Sequence, residues 1–273
     1  MRRGWTVRLT DIVFLAAIVV FIAFVLGIVL TVVLNSASKG WYHGVLPPFL
    51  TGEWYVYMAQ DHDLATLLTV TFVVAVSVVA ISLVIAYPAA YALARHEFRG
   101  KAFVLSLLLL PMIVPPMAYG IPLAVVMYKL HLAAKVAGVI LVNLVPIVPF
   151  CILILIPFIE QVSPHLESAA QMLGARRLTV LFRVLVPLTV PGLLTAGILS
   201  VVKTISMFEL TYLVASGKSQ TIVVALYADA YAAGARPPQA VDALAVVYFL
   251  LAMLCLAVAL KFVSPTQMVF RLK

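Results

Sequence analysis

Charge is what this chain has least of. Only 10% of its 273 residues are Asp, Glu, Lys or Arg, against 65% hydrophobic residues and a mean hydropathy of +1.17. A water-soluble domain carries about 25% charged residues, so a soluble globular fold is excluded. Cysteine is nearly absent as well: Cys151 and Cys255 lie far apart, each inside an apolar block, and form neither a disulfide framework nor a metal-ligand spacing. The histidines (His43, His62, His96, His131 and His165) stand singly near loops, so no metal site is expected. No Ser/His/Asp set and no paired carboxylates suggest catalysis, and an enzyme is not expected. Gly217-Lys218-Ser219 resembles the tail of a phosphate-binding loop, but the motif's first glycine would fall at Tyr212.

What remains is apolar sequence in long blocks and a basic excess, net charge +8. A nucleic-acid binder gathers its cations on one face or arm. Here they sit at the ends of apolar blocks, where a membrane protein places them, so no nucleic-acid partner is expected. The pattern predicts an all-α polytopic protein with six transmembrane helices, at about 12–34, 65–94, 102–128, 136–159, 192–215 and 241–261. The run from Ile12 to Leu34 exceeds the roughly 7–15 apolar residues of a signal peptide, so it reads as an uncleaved span. Residues 1–11 and 262–273 are then short tails around one transmembrane domain, 12–261.

Arg2, Arg3 and Arg8 precede the first span, and Arg95, Arg99 and Lys101 follow the second. Arg176, Arg177 and Arg183 follow the fourth, and Lys261, Arg271 and Lys273 close the sixth. The positive-inside rule puts these groups and both termini in the cytoplasm, with Lys129 and Lys135 opposing it. Trp41, Tyr42, Trp54, Tyr55 and Tyr57 in the first outer loop suit an interfacial belt. Prolines crowd two consecutive spans: Pro111, Pro115 and Pro116 in the third, and Pro146, Pro149 and Pro157 in the fourth. Each is expected to kink or break its helix, and such breaks line cavities in membrane proteins. Pro115 and Pro116 are therefore candidate pathway residues. Lys203 and Glu209 join them, because ionisable groups within a span are costly and face a cavity or a partner charge. Along a helix they lie about 9 Å apart and on different sides, so they are not expected to pair with each other.

The cytoplasmic segment 160–191 holds two short helices. Ser163 is a helix-capping residue, Pro164 suits the first turn, and Leu166, Ala169, Ala170 and Leu173 recur on one face up to Gly174. Leu178, Leu181, Phe182 and Leu185 repeat that spacing before Pro187. Ser168-Ala169-Ala170, Gly174 and Val184-Leu185-Val186-Pro187 resemble the "EAA" loop of permease subunits of binding-protein-dependent ABC importers. The loop Ala92-Leu-Ala-Arg-His-Glu-Phe-Arg-Gly-Lys101 is also similar to that family's. The family's glutamate position holds Ser168, and Glu167 precedes it.

The resemblance implies a MetI-like type I permease fold in the bacterial inner membrane. It implies pairing with a second permease, identical or related, docking of two cytoplasmic ATPase subunits, and delivery by an extracytoplasmic solute-binding protein. ATP and Mg would be held by the ATPase partners and no cofactor by this chain. Glu167, Ser168, Ala169, Ala170, Gly174 and Arg177 are the implied coupling residues. Ser206–Leu213 and Ser219–Tyr227 resemble the polyamine, iron(III) and opine branch, and Glu209 would suit a cation such as a polyamine. The alternatives are a self-sufficient secondary transporter or channel and a membrane anchor. Neither requires the helix pair around Gly174, and no inverted repeat of the secondary-transporter kind stands out.

Overall fold

The computed structural model describes residues 3–41, 43–231 and 236–262, so Arg2, Arg271 and Lys273, with their expected side of the membrane, lie outside the described residues. Among the described residues the chain is all helix, save one antiparallel bridge between Ser38 and Leu50. The stretch 12–261 is made of two compact units. The first is the chain up to Leu64 with Leu226–Phe249, and the second is Ala65–Ala225 with the chain from Leu250.

The first unit holds α1 (Arg3–Ser36), α2 (Glu53–Asp61), most of α12 (Ile222–Tyr231) and the first half of α13 (Pro238–Phe262). From Thr10 onward α1 is apolar all round and exposed over most of its length; Phe14, Phe21 and Phe24 are each more than 60% exposed. Such a helix is stable only in lipid or against another subunit. Its polar end is fastened. Asn35 Nδ2 donates to Asp242 Oδ2 (2.6 Å) on α13, the Ser36 and Tyr55 hydroxyls pair at 2.7 Å, and Trp54 Nε1 donates to the Ser38 carbonyl at 2.7 Å. Arg236 joins Asp61 (2.7 Å), Asp229 (3.1 Å) and His62, and His62 itself meets Asp229 at 2.5 Å.

The second unit is built on α3 (Leu64–Arg95) and α6 (Val136–Glu160), each long and apolar enough to cross a bilayer. One face of α3, with Val70, Val74, Val78, Ala86, Tyr87, Ala90 and Leu93, is buried in a common core with Val142, Ile147, Cys151, Leu155 and Ile159 of α6. Packed on α6 are α4 (Lys101–Ile113), α10 (Val190–Ile205) and α11 (Glu209–Val214). The close crossing of α10 is allowed by Gly192, where a Cβ would lie 2.5 Å from the Phe158 ring.

The prolines expected to kink or break their helices do not all break them. α6 runs unbroken through Pro146, Pro149 and Pro157, and α3 through Pro88. An isolated proline deletes one bond of the ladder and leaves its neighbours to hold the helix. The break comes where two prolines adjoin. Val114 (ψ 132°) and Pro115 (ψ 131°) are both extended, as residues before proline prefer to be. The span expected at 102–128 is therefore α4 and α5 (Pro116–Lys129), bent by 94°. The span expected at 192–215 is interrupted too, although it has no proline at the break. Ser206 turns its hydroxyl back onto Val202 O (2.8 Å), α10 ends at Ile205, and α11 begins at Glu209. Ahead of α10, α8 (Arg177–Val180) continues through a π turn, Leu181–Leu185, into α9 (Val186–Leu188). There the Val186 N–H reaches back to Leu181 O, a widening that absorbs Pro187. Among the described residues four helices are long and apolar enough to cross a membrane, or up to six if each bent pair forms one span.

Candidate functional site

The helix α7 (Pro164–Met172) is defined by its own ends. Ser163 is extended and its hydroxyl accepts from the His165 N–H, with Pro164 in the first turn. At the other end Gly174 takes φ +87°, the Ala175 N–H reaches Ala170 O (3.0 Å), and the Gly174 N–H reaches Gln171 O (2.9 Å). This pair of bonds is the Schellman closure, and its left-handed residue is where glycine avoids the Cβ penalty.

The orientation of α7 is set by a charge. Glu167 is the buried residue of this helix. Its Oε1 accepts from Arg95 Nε at 2.7 Å and its Oε2 from the Tyr91 hydroxyl at 2.8 Å. Arg95 Nη2 also donates to Val162 O at 2.6 Å, so one guanidinium ties the end of α3 to both α7 and the exit of α6. With Glu167 turned inward, Leu166, Ala169, Met172 and Leu173 face out, and Leu173 is 89% exposed. Leu178 and Phe182 are exposed beside them. The stripe read from the sequence thus covers none of this chain's core except through half-buried Ala170. These side chains are exposed apolar area at the α7–α8 segment.

Of the other expected coupling residues, Ser168 bonds back to Pro164 O (3.3 Å) and Arg177 is exposed at the start of α8. The sequence reading passed over Arg95 and Tyr91, although Arg95 was the arginine of the quoted Ala92–Lys101 loop. It also passed over the rest of a polar series along α3. Tyr87 pairs with Thr189 (2.8 Å, buried) at the joint between α9 and α10, and Thr71 Oγ1 accepts from the Ile222 N–H (3.0 Å) where α12 begins.

The expected pathway residues do not form one cluster. Pro115 and Pro116 make the α4–α5 elbow. Beside it lies an apolar cavity of ≈ 470 Å³ whose lining includes Pro111, Val114, Tyr119, Pro122 and Val145. Lys203 is in the last turn of α10, its amine 4.5 Å from the centre of the Phe150 ring, beside the Cys151–Ser200 hydrogen bond (3.0 Å). Glu209 opens α11, beyond the helix break. No ion pair joins the two among the described residues, although the single helix on which their spacing was reckoned is broken between them.

The family model described as "Binding-protein-dependent transport system inner membrane component" matches residues 82–268. The sulfoquinovosyl glycerol transport system permease protein of Agrobacterium fabrum is 37% identical over 148 residues. That alignment covers 54% of this chain and 52% of the relative, about half its length. The molybdenum transport system permease protein of Haemophilus influenzae is 31% identical, over 60% of this chain and 78% of that protein. Among solved structures, a bacterial ABC transporter involved in the import of the acidic polysaccharide alginate superposes with a TM-score of 0.76. It does so at 21% identity, over 94% of this chain and 98% of its own. The inward-turned glutamate, the closed α7 and the fold around α6 all lie within the matched residues, and the chain belongs to the family of binding-protein-dependent transport system inner membrane components.

Proposed function

We propose that this chain is one permease subunit of an ATP-driven importer. It would line the solute pathway with a second permease, and the paired loops of the two permeases, α7 in this chain, would receive two ATPase subunits. The observation that carries the reading is the posture of α7: held from behind by Glu167, it leaves Ala169, Met172 and Leu173 exposed and Leu166 half-exposed among the described residues. The small Ala169 permits close approach, and the leucines supply apolar area for a groove on the ATPase. ATP and Mg belong to that partner, and an extracytoplasmic binding protein brings the solute.

The test is co-purification of the tagged chain with its ATPase in mild detergent, beside an Ala169→Asp, Leu173→Asp variant. Both positions are exposed, so the fold is retained. Loss of the ATPase from the variant alone supports the reading. A chain that moves solute unaided and without ATP in liposomes overturns it in favour of a secondary transporter.

The polyamine expectation finds no support among the relatives, whose names carry sulfoquinovosyl glycerol and molybdenum. One observation favours an anionic solute instead. Phe150 lies about 15 Å from the Glu160 end of α6, near mid-depth of a bilayer, and Lys203 beside it has no carboxylate partner among the described residues. A lysine there costs about 3 kcal/mol unless something compensates it. Uptake by the reconstituted complex of labelled sulfate or an alkyl sulfonate, cut about tenfold by Lys203→Met, is the expected result. Uptake of spermidine that survives the substitution would sink this assignment.

A further inference from the structure

The polar bonds along α3 occur at three levels of one continuous helix. At its Arg95 end, Arg95 and Tyr91 hold Glu167 of α7. One turn further in, Tyr87 holds Thr189, the joint at which Arg177–Leu188 and Val190–Ile205 bend by 73°. About 36 Å from Arg95, Thr71 holds the Ile222 N–H at the start of α12. Between these levels α3 is one helix, unbroken at Pro88, and its buried face is locked into the core by Val74, Val78, Ala86 and Ala90. Thr71 and Tyr87 are themselves on that buried face.

These three contacts differ from packing in one respect. Apolar packing favours no particular atom pair, whereas a buried hydrogen bond or ion pair joins two named groups and must be kept or replaced. A buried group left without a partner costs about 1–3 kcal/mol, more for a charge. A displacement of α7 therefore pulls on Arg95 rather than slipping past it, and α3 carries the pull to the α9–α10 joint and on to residues 220–222.

On the reading of α7 as the ATPase-docking helix, we infer that Glu167, Arg95, Tyr91 and Tyr87 are positioning residues. Through them α3 transmits the movement of the docked helix to the α9–α10 joint and to the far end of the second unit. Glu167 is thereby assigned a partner inside its own chain, Arg95, rather than a place on the docking face. The exposed apolar side chains bind the ATPase, and the buried carboxylate moves the fold.

The experiment uses the complete complex of this chain with its ATPase and second permease in liposomes. Cys151 and Cys255 are replaced by Ala, and a cysteine is introduced at Ser216, which is exposed in the segment leading to Ile222. Its rate of modification by a membrane-impermeant maleimide is read with and without a non-hydrolysable ATP analogue. In the parent the nucleotide is expected to change the rate about fivefold or more. Glu167→Gln and, separately, Tyr87→Phe are expected to bring the two rates together while ATPase subunits remain bound. Arg95→Glu combined with Glu167→Arg is expected to restore the response, which a merely structural role would not produce. A full nucleotide response in both Glu167→Gln and Tyr87→Phe overturns the inference, as does a parent whose Ser216 site ignores nucleotide. Failure of the parent to retain the ATPase at all would instead overturn the function proposed for α7.

Discussion

A carboxylate taken out of water loses several kcal/mol of hydration, and its attraction to an arginine recovers that only with good geometry and further hydrogen bonds. Glu167 has both, with Arg95 Nε on one oxygen and the Tyr91 hydroxyl on the other. The pair adds little to net stability and fixes a direction, because rotating α7 in either sense would strand a charge. Gly174 fixes the other end by a different means. A Cβ there would touch nothing within 4 Å, so its only requirement is φ +87°. Gly174→Ala is thus expected to cost about 1 kcal/mol, all of it local to the α7 closure. Gly192→Ala drives a methyl into the Phe158 ring and is expected to cost about 1–3 kcal/mol of the α6–α10 core. Thermal unfolding in detergent should register Gly192→Ala strongly and Gly174→Ala weakly, with the reverse order in ATPase retention. Equal effects on both readouts would refute the separation. At this scale the sequence is legible wherever the physics is local: Ser163, Pro164 and Gly174 announce the limits of α7 within a dozen residues. The direction of Glu167 is not, because its partner is 72 positions away and no spacing within the segment encodes it.

Between whole helices, adjacency decides what a proline does. Three isolated prolines leave α6 intact, whereas Pro115-Pro116 forces two successive extended residues and a 94° turn. If the tandem prolines cause the elbow, Pro115→Ala with Pro116→Ala should let α4 and α5 fuse. Spin labels at Ala102 and Tyr128, both exposed, should then move apart. The ends of two perpendicular helices of these lengths are about 28 Å apart, and those of one straight helix about 39 Å. An unchanged distance would mean that packing of α6 and α11 against the two arms, not proline, holds the bend. The break after Ile205 shows the limit of such reading. It contains neither proline nor glycine, only a serine hydroxyl turned onto Val202 O and the next helix starting at Glu209. A serine in an apolar run is ordinarily silent, so the sequence gives that break no mark.

For the molecule as a membrane object, the number of crossings is open from length alone, since two candidate spans are bent. The buried bonds narrow it. Arg95 binds both Glu167 and Val162 O, so α3 and α6 leave the bilayer on the same side, and the chain between them must return across it. Only α4 with α5 is available for that return. Thr189 meets α3 near its Arg95 end and Ile222 meets it at the Leu64 end, so α10 with α11 must cross as well. Asn35 near the end of α1 meets Asp242 in the first turns of α13, so the exit of the one lies beside the entry of the other, and with both crossing the expected number of spans is six. The basic residues then give the expected sign: Arg95, Arg99, Lys101, Arg176, Arg177 and Arg183 all fall on the Arg95 side, which the positive-inside rule predicts to face the cytoplasm. Single cysteines at Glu97 and Met172 should therefore resist an impermeant maleimide in intact cells and react in inverted vesicles. Cysteines at Val45 and Lys218, exposed at the other ends, should do the opposite. Reaction of Glu97 and Lys218 from one and the same side would mean that a bent pair re-enters rather than crosses. The route of coupling along α3 would then have to begin and end on one face of the membrane, which its length of about 48 Å forbids.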